Sequence, residues 1–372
     1  MHVRLPGPTG LQQRVLPAYR APFFDALAAA LPGGLGVFAG EPYAGESILQ
    51  AEALRVARWT RATNRTVGAG RARMLWQSGW RQWLERENPQ AVVLEANPRY
   101  LSNLFILRAM RGTGKQVLGW SLGPIAANGI NGAILRSFYP AFSAMIVYSR
   151  SGAEAFRQVG LAPERIFVAP NAVESTVAER LLRAPEGRAQ ARAELTPDEK
   201  PVVLFVGRLQ QRKRVDLLIR ACARASVPCR LVIVGDGPDR ARLEQIAGGI
   251  LPAARFTGDV RGDALGKIFL AADLFVMPGT GGLALQEALL YGKPVAVAEA
   301  DGSQADLVRP GENGWILPPG EEDALVAVLR EALGNPIRLN SMGEASRRIV
   351  RETATMEKMV AGFVQALQFC MQ

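Results

Sequence analysis

The sequence has almost no histidine and little cysteine. Its single histidine is His2, and its three cysteines, Cys222, Cys229 and Cys370, are scattered through a chain of 372 residues. Zinc sites and disulfide frameworks need groups of these residues at regular spacings. The sequence therefore argues against a metal site, a disulfide framework and catalysis by a histidine base. We read the cysteines as buried thiols and expect neither a metal nor a cofactor.

Long apolar runs and the commonest nucleotide-binding signatures are also missing. No apolar stretch reaches the ~18 residues that a membrane-spanning helix needs, and the opening MHVRLPGPTG has no apolar signal-peptide core. No G-x-G-x-x-G follows the first strand, and no G-x-x-x-x-G-K-[ST] occurs. These absences argue against a dinucleotide-dependent dehydrogenase and a P-loop nucleotidase. We expect a cytoplasmic protein with a flexible leader.

Positive charge is concentrated in the first half of the chain. Residues 1–175 hold 19 Lys and Arg against 10 Asp and Glu, whereas the rest holds 25 against 24. Residues 55–73 contain no acid and six arginines, namely Arg55, Arg58, Arg61, Arg65, Arg71 and Arg73. Trp59 lies among them, and Trp76, Trp80 and Trp83 follow at helical spacing. Arginines beside tryptophans are typical of peripheral contact with anionic lipid.

We therefore predict that the segment Arg55–Trp83 holds the protein on the inner face of a membrane. The alternative is that the tryptophans belong to the core and the arginines are merely solvated. Binding to nucleic acid is not expected, because the charge is accompanied by no recognition motif.

Strand-like and helix-like segments alternate along the chain. The first half has the strand candidates QQRVL (12–16), LGVFAG (35–40), AVVLEA (91–96) and KQVLGW (115–120). The second half has PVVLFVGRL, CRLVIVGDGP, RFTGDV, DLFVMPG and KPVAVAEA. Such alternation predicts parallel sheets with helical crossovers, and the length predicts two domains. We predict an α/β protein of two doubly wound, Rossmann-like domains, with residues 176–200, which are polar and helical, as linker and boundary.

The first chemical motif follows the apolar strand VVLFVG. Gly207 permits a tight turn, Arg208 comes directly after it, and Lys213 follows at the end of the run LQQRK. Arginine offers a planar fork to phosphate oxygens and lysine a mobile point charge, so the pair suits a diphosphate. The alternative is two solvated residues in the basic run QQRKR.

The second motif is a glycine-rich loop that leads into a helix carrying Glu287. Glycines let backbone N–H groups approach an anion, and a carboxylate on the helix can accept hydrogen bonds from ribose hydroxyls. The loop residues are Gly279, Thr280, Gly281, Gly282 and Leu283. The alternative is a turn needed only for packing. The turns GDGP, with Gly235, Asp236 and Gly237, and FTGDV, with Gly258, are further candidates to line a nucleotide pocket.

Together these motifs resemble retaining glycosyltransferases of family 4, which have the GT-B fold of two Rossmann-like domains facing a central cleft. The resemblance is carried by VAPNAV (168–173), VGRLQQRK (206–213), VIVGDGP (232–238), FTGDV (256–260), AADLFVMPG (271–279) and GLALQEALLYGKPV (282–295). It implies domains at 1–180 and 181–350, with residues 351–372 as a helix that packs back on the first domain.

The resemblance also implies roles for residues. Arg208 and Lys213 would contact the donor diphosphate and Glu287 the ribose. The backbone of 281–283 would contact phosphate and sugar, and the turns at 235–237 and 258 would hold the base. The first of the family's two paired glutamates falls on Gly279, so that carboxylate is missing here. The histidine that many members place in the first domain is absent too, its region being GWSLGP (119–124).

The resemblance predicts a transferase that moves a sugar from a nucleotide-sugar donor, with a UDP-sugar favoured, to a glycan or lipid-linked acceptor. The reaction would proceed on the front face of the sugar and without metal. Arg20 and Asn171 are the candidates on the acceptor side. The alternatives are a nucleotide-sugar epimerase or hydrolase of the same fold, and a nucleotide-sugar-binding protein without catalysis.

Overall fold

The chain divides into two α/β units. The computed structural model describes residues 7–43, 46, 48–68, 73–124, 137–184, 187–196, 198, 200–300 and 302–372, so His2 and Arg71 lie outside the described residues. The first unit combines residues 1–171 with 356–372, and the second comprises residues 172–355. The sequence placed these boundaries after residues 180 and 350.

A parallel seven-stranded sheet forms the centre of the first unit. Its strands in chain order are β1 (Thr9–Val15), β2 (Leu35–Gly40), β3 (Arg58–Arg61), β6 (Ala91–Glu95), β7 (Gln116–Ser121), β8 (Ala144–Val147) and β9 (Ile166–Val168), with β4 (Thr63–Val67) and β5 (Met74–Ser78) inserted as an antiparallel pair. The spatial order is β3-β2-β1-β6-β7-β8-β9. The chain thus builds outward from β1 in both directions, which is doubly wound topology.

Helices connect these strands. They are Ala21–Ala30, Trp80–Glu87, Leu101–Met110, Arg150–Gln158 and Met356–Phe369, with 3₁₀ turns at Ala18–Arg20, Tyr139–Ala141 and Pro163–Arg165. Pro22 lies in the first turn of its helix, where its missing N–H costs no hydrogen bond. The last helix belongs to this unit because the buried Phe363 packs on Phe23 and Trp120, with ring centroids 4.9 Å apart in each pair.

The tryptophans of the basic segment do not share a helix face, so that expectation is wrong. Trp76 lies on β5, and Gly79, with φ 96°, ends the strand before the helix Trp80–Glu87 begins. Trp80 and Trp83 are core residues, 6% and 0% exposed. Trp59 and Trp76 are half-buried. Buried rings cannot reach a lipid surface, so the proposed membrane contact loses two of its four tryptophans and stays a prediction. Within the described ranges, no helix has both the length and the apolar character to span a bilayer.

The second unit is built on a parallel six-stranded sheet in the order β12-β11-β10-β13-β14-β15. Its strands are β10 (Val202–Val206), β11 (Arg230–Val234), β12 (Arg255–Gly258), β13 (Leu274–Met277), β14 (Val295–Ala298) and β15 (Gly314–Leu317). Side chains of β10 alternate between two cores, Val203 and Phe205 on one face and Leu204 and Val206 on the other. Burial on both faces explains the uninterrupted apolar run VVLFV.

Helices cover both faces of this sheet. They are Thr176–Arg183, Gly187–Leu195, Val215–Ala225, Arg240–Ile250, Gly262–Ala271, Ala284–Leu290, Gln304–Leu307, Glu322–Leu333 and Pro336–Thr353. The first two confirm the helical prediction for residues 176–200, but they are not a linker, because Ala178, Ala191 and Leu195 are buried in the core of the second unit. Their small apolar residues were too few to signal burial in the sequence.

Candidate functional site

The candidate site of the second unit lies where the strand order reverses. β10 pairs with β11 on one side and with β13 on the other, all parallel. In open α/β sheets this switch point leaves a crevice at the carboxyl ends of the strands, where ligands bind. The loops that leave β10 and β13 there are 207–213 and 278–283, which are the two segments that the sequence singled out.

Lys213 joins these two loops. It ends the 3₁₀ turn Gln211–Lys213 and is only 8% exposed. Its Nζ donates to the carbonyl oxygens of Thr280 at 2.8 Å and Gly281 at 2.6 Å. A Cβ added at Gly282 would lie 3.4 Å from the same Nζ. A nearly dehydrated ammonium thus lies against the glycine-rich loop, which is where an anion would gain most from it.

Gly279 lets the two loops approach this closely. Thr280 N donates to Arg212 O at 3.0 Å. A Cβ on residue 279 would lie 2.3 Å from Arg212 O and 2.6 Å from Lys213 C. No side chain fits at 279 while this backbone contact exists. The space that a side chain at position 279 would need is therefore occupied by the backbone of Arg212 and Lys213.

Thr280 offers an unused polar group in the same loop. Its Oγ1 is buried and has no hydrogen-bond partner among the described residues. Buried polar atoms are nearly always satisfied in folded proteins, and exceptions often mark binding sites. Arg208, half-buried, follows β10 one residue after Gly207. The structure therefore places both near the carboxyl edge of β10 and β13, as predicted.

Three further glycines bring the neighbouring turns together. Gly235, with φ 130°, approaches so closely that a Cβ would lie 2.0 Å from Gly207 O, and a Cβ at Gly237 would lie 2.2 Å from Leu209 O. Gly235 N also donates to Gly258 O at 2.8 Å. The ends of β10, β11 and β12 thus form one continuous backbone surface, to which side chains contribute little.

The Asp236 side chain bonds to residues of its own turn and of the helix that follows. Its carboxylate accepts from Gly237 N at 2.6 Å and pairs with Arg240 at 3.0 Å. The hydrogen bond from Gly237, followed by the one from Arg240, lowers the pKa of Asp236. Since both carboxylate oxygens are already bonded, the peptide groups of this turn are better placed than the side chain to meet a ligand.

Glu287 is a carboxylate whose loss of water is not offset by hydrogen bonds from the described residues. It lies on the helix Ala284–Leu290, and burial raises its pKa to about 7. No described residue donates a hydrogen bond to its carboxylate, and the only cause of the shift is the loss of water. A group of this kind is poised to accept hydrogen bonds from ligand hydroxyls, which would stabilise its charged form.

The two candidates on the acceptor side lie in the first unit. Arg20 is 9% exposed, donates to Tyr148 Oη at 3.1 Å and lies 4.6 Å from the centroid of Trp120. It is thus a fixed cation between aromatic rings. Asn171 is the last residue of the unit before the chain enters the second one.

Sequence reasoning missed Arg14 and Glu95 in the first unit. They lie at the carboxyl ends of β1 and β6, the switch point of that sheet. Glu95 accepts from the backbone N of Arg14 at 2.8 Å, and burial raises the pKa of its carboxyl group. Arg14 pairs with Glu46 at 2.9 Å. Each is the only charged residue of its strand, TGLQQRV or AVVLE, a signal that the sequence offered.

Among the residues described, no three His, Cys, Asp or Glu side chains come together as a metal-ligand set.

Comparison with known proteins matches most of the second unit to one family. The family described as "Glycosyl transferases group 1" matches residues 187–349, which include all six strands and both loops of the candidate site. The match covers most of the second unit and under half of the chain. The crevice at β10 and β13 lies within the matched region.

Two curated relatives and one solved structure extend this result. A GDP-mannose-dependent alpha-mannosyltransferase of Mycobacterium tuberculosis (strain CDC 1551 / Oshkosh) is 44% identical over 142 residues, 37% of this chain and 36% of that protein. A GDP-mannose-dependent alpha-(1-6)-phosphatidylinositol monomannoside mannosyltransferase of Mycolicibacterium smegmatis (strain ATCC 700084 / mc(2)155) is 30% identical over 259 residues, 64% of each. The chain thus matches about a third of the first relative and under two thirds of the second.

The solved structure is Anabaena Alr3699/HepE in complex with UDP. It has a TM-score of 0.74 and 18% identity, and the match covers 95% of this chain and 97% of that one. At this identity the likeness concerns the fold. The predicted glycosyltransferase resemblance and the GT-B class of two Rossmann-like units are confirmed, whereas membership of the retaining family 4 stays a prediction.

Proposed function

We propose that the protein transfers a sugar, with retention of configuration, from a nucleotide-sugar donor to a glycan or lipid-linked acceptor. The observation that carries this proposal is the buried Lys213 ammonium, which bridges the loops after β10 and β13 at the switch point of a glycosyl transferase domain. A diphosphate bound in this crevice would meet that charge together with Arg208, the Thr280 hydroxyl and the backbone N–H groups of 281–283.

The proposed reaction needs no nucleophile from the enzyme. The bond between the donor sugar and its phosphate breaks, and the acceptor oxygen bonds to the same face of the sugar. The acceptor's proton passes to the departing phosphate. The protein's task is to hold both substrates and to stabilise the diphosphate charge that develops as the bond breaks. In this proposal Arg208 and Lys213 neutralise the negative charge of the diphosphate, and no metal ion is needed for that purpose.

GDP-mannose is the first donor to test. Two relatives, 44% and 30% identical over the matched regions, are named for their dependence on GDP-mannose. The UDP-sugar favoured by the sequence is the second. The base would lie on the glycine surface formed by 207, 235, 237 and 258, where peptide groups rather than side chains make the contacts. The acceptor is less specified, and a lipid-linked sugar is suggested only by the name of the second relative.

A thermal-shift screen of GDP-mannose, UDP-glucose and ADP-glucose tests the donor. A donor present at about 100 times its Kd stabilises the folded state by about 2.7 kcal/mol, which raises the Tm by roughly 5–10 °C for a unit of this size. We expect one nucleotide class to do so and the others to have no effect. The proposal fails if none of the donors raises the Tm. Conversion of the donor in the absence of acceptor would favour the epimerase or hydrolase alternative.

Glu287 makes donor binding dependent on pH. Its folded pKa of about 7 lies above the model-peptide value of 4.5, so its contribution to stability is present below about pH 4.5 and lost as the pH rises through 7. A ribose that bonds to the carboxylate favours the charged form. We therefore expect the affinity for the nucleotide sugar to rise about tenfold from pH 6 to pH 8.

Isothermal titration calorimetry at several pH values measures this slope. The variant Glu287→Gln should abolish it, whereas Glu331→Gln, an exposed carboxylate paired with Arg338, should leave it unchanged. An identical slope in the wild type and in Glu287→Gln would exclude the ribose role.

A further inference from the structure

A second polar cavity lies in the glycosyl transferase domain, at the edge of the sheet opposite the candidate active site. Its volume is about 230 Å³. Among its lining residues, Pro201, Asp273 and Pro294 each directly precede a strand, namely β10, β13 and β14. Parallel strands all begin at the same edge, so the cavity is at the amino ends of the strands and the donor loops are at the carboxyl ends.

Lys293 is the central cation of this cavity. It is 4% exposed, and its Nζ donates to Leu270 O and Ala272 O, each at 2.9 Å. An ammonium has three N–H donors, and these carbonyls take two of them. Burial, reinforced by Arg188, Arg347 and Arg192, lowers the pKa of Lys293 to about 7, while Asp273 acts in the opposite direction. The surroundings of this lysine are therefore short of negative charge.

Two arginines share the carboxylate of Asp273, and a third lies nearby. Arg188 and Arg192 pair with its two oxygens at 2.9 and 2.6 Å. Arg347 lies behind Gly292 of the lining, where a Cβ would lie 2.5 Å from Arg347 Nε. That Nε is buried and has no hydrogen-bond partner among the described residues. Two further charges affect the pKa of Arg347 in opposite directions: Arg351 lowers it and Glu344 raises it. Basic groups are thus in excess.

The helix Pro336–Thr353 adds to this field. Pro336, Leu339 and Asn340 of its first turns line the cavity. The amino end of a long helix carries a partial positive charge, which stabilises a nearby anion. Side-chain charges and backbone dipole therefore favour the same kind of ligand.

We propose that this cavity binds a small phosphate-class oxyanion, held by Lys293 and Arg188, with the charge of Arg347 behind the lining adding to the attraction. The cavity is smaller than the ~300–1,000 Å³ of typical sites for drug-sized molecules, so the ligand is a free phosphate or a single phosphoryl group on a small metabolite. The site is distinct from the donor diphosphate site and does not depend on the proposed transferase activity. Its occupant would link the helices Gly187–Leu195 and Pro336–Thr353 to the sheet.

Calorimetric titration of the full chain with inorganic phosphate, at ionic strength held constant with sodium chloride, tests this site. A parallel titration with glycerol 3-phosphate distinguishes a free phosphate from a phosphomonoester. Because phosphate also resembles part of the donor, each titration is repeated in Arg208→Ala. We expect binding that survives Arg208→Ala and weakens at least about tenfold in Arg188→Gln, as the loss of a charged hydrogen bond predicts. In Arg347→Gln, which removes only a nearby charge, binding should weaken by a smaller factor.

The matched control is Arg348→Gln, the adjacent position on the same helix, whose side chain pairs with Glu312 at the surface. It should bind phosphate as the wild type does. Lys293→Met is a third variant, and the two arginine variants remain decisive if it fails to fold. Absence of phosphate binding, binding lost only in Arg208→Ala, or equal weakening in Arg348→Gln would each overturn the proposal.

Discussion

Replacing Lys213 with Ala is expected to reduce the affinity for the nucleotide sugar by about 100-fold or more. A hydrogen bond to a charged group contributes about 1.5–3 kcal/mol, and a dehydrated charge on a diphosphate is at the upper end of that range. The same substitution removes the two bonds that hold Thr280 and Gly281. Donor binding should therefore lose both the charge and the ordered loop.

Two further variants separate these contributions. Lys213→Gln keeps N–H donors for the loop carbonyls but has no charge, so we expect it to bind the donor almost as poorly as Lys213→Ala. Arg212→Ala removes an exposed cation one residue earlier and should change the affinity less than about twofold. Calorimetry with the donor found in the screen measures all three. Wild-type affinity in Lys213→Gln would refute the role of the charge.

The position of the donor loops was predictable from the sequence. Strands buried on both faces appear as apolar runs such as VVLFV (202–206), and residues that follow them lie at the carboxyl edge. The contact between Lys213 and the loop 280–281 was not predictable, because it depends on a 3₁₀ turn at Gln211–Lys213 that no residue pattern announces. Sequence reasoning thus found the loops and left their geometry open.

Two other features show where sequence reasoning fails. Trp76, Trp80 and Trp83 have the spacing of a helix face, yet Gly79 at φ 96° separates a strand from a helix between them. Helical spacing in a sequence therefore indicates a shared helix face only where no glycine interrupts the segment. The cavity around Lys293 combines residues from 188 to 340. No local motif links positions so far apart, because only the common start of parallel strands brings them together.

The packing at Gly279 leads to the second large effect. Introducing the carboxylate that family 4 glycosyltransferases would place here, by Gly279→Glu, is expected to abolish donor binding rather than improve it. The new Cβ would lie 2.3 Å from Arg212 O and 2.8 Å from Lys213 Cα. These contacts are with backbone, so relief requires the segment 212–213 to move. Such a movement would withdraw Lys213 from the loop that it holds.

Gly279→Ala isolates the steric part of this effect. Overpacking of this kind costs about 1–3 kcal/mol of unfolding free energy, and we expect a lower Tm together with at least a tenfold loss of donor affinity. Gly248→Ala is the matched control: its Cβ meets nothing within 4 Å, and alanine is the better helix former, so stability should hold or rise slightly. Thermal unfolding and calorimetry measure both.

If Gly279→Glu binds donor as well as the wild type, the close approach of the two loops is not required, and the site would hold a carboxylate as the resemblance implies. If both Gly279→Glu and Gly279→Ala lose donor affinity, donor binding depends on the close contact of residue 279 with the backbone that positions Lys213.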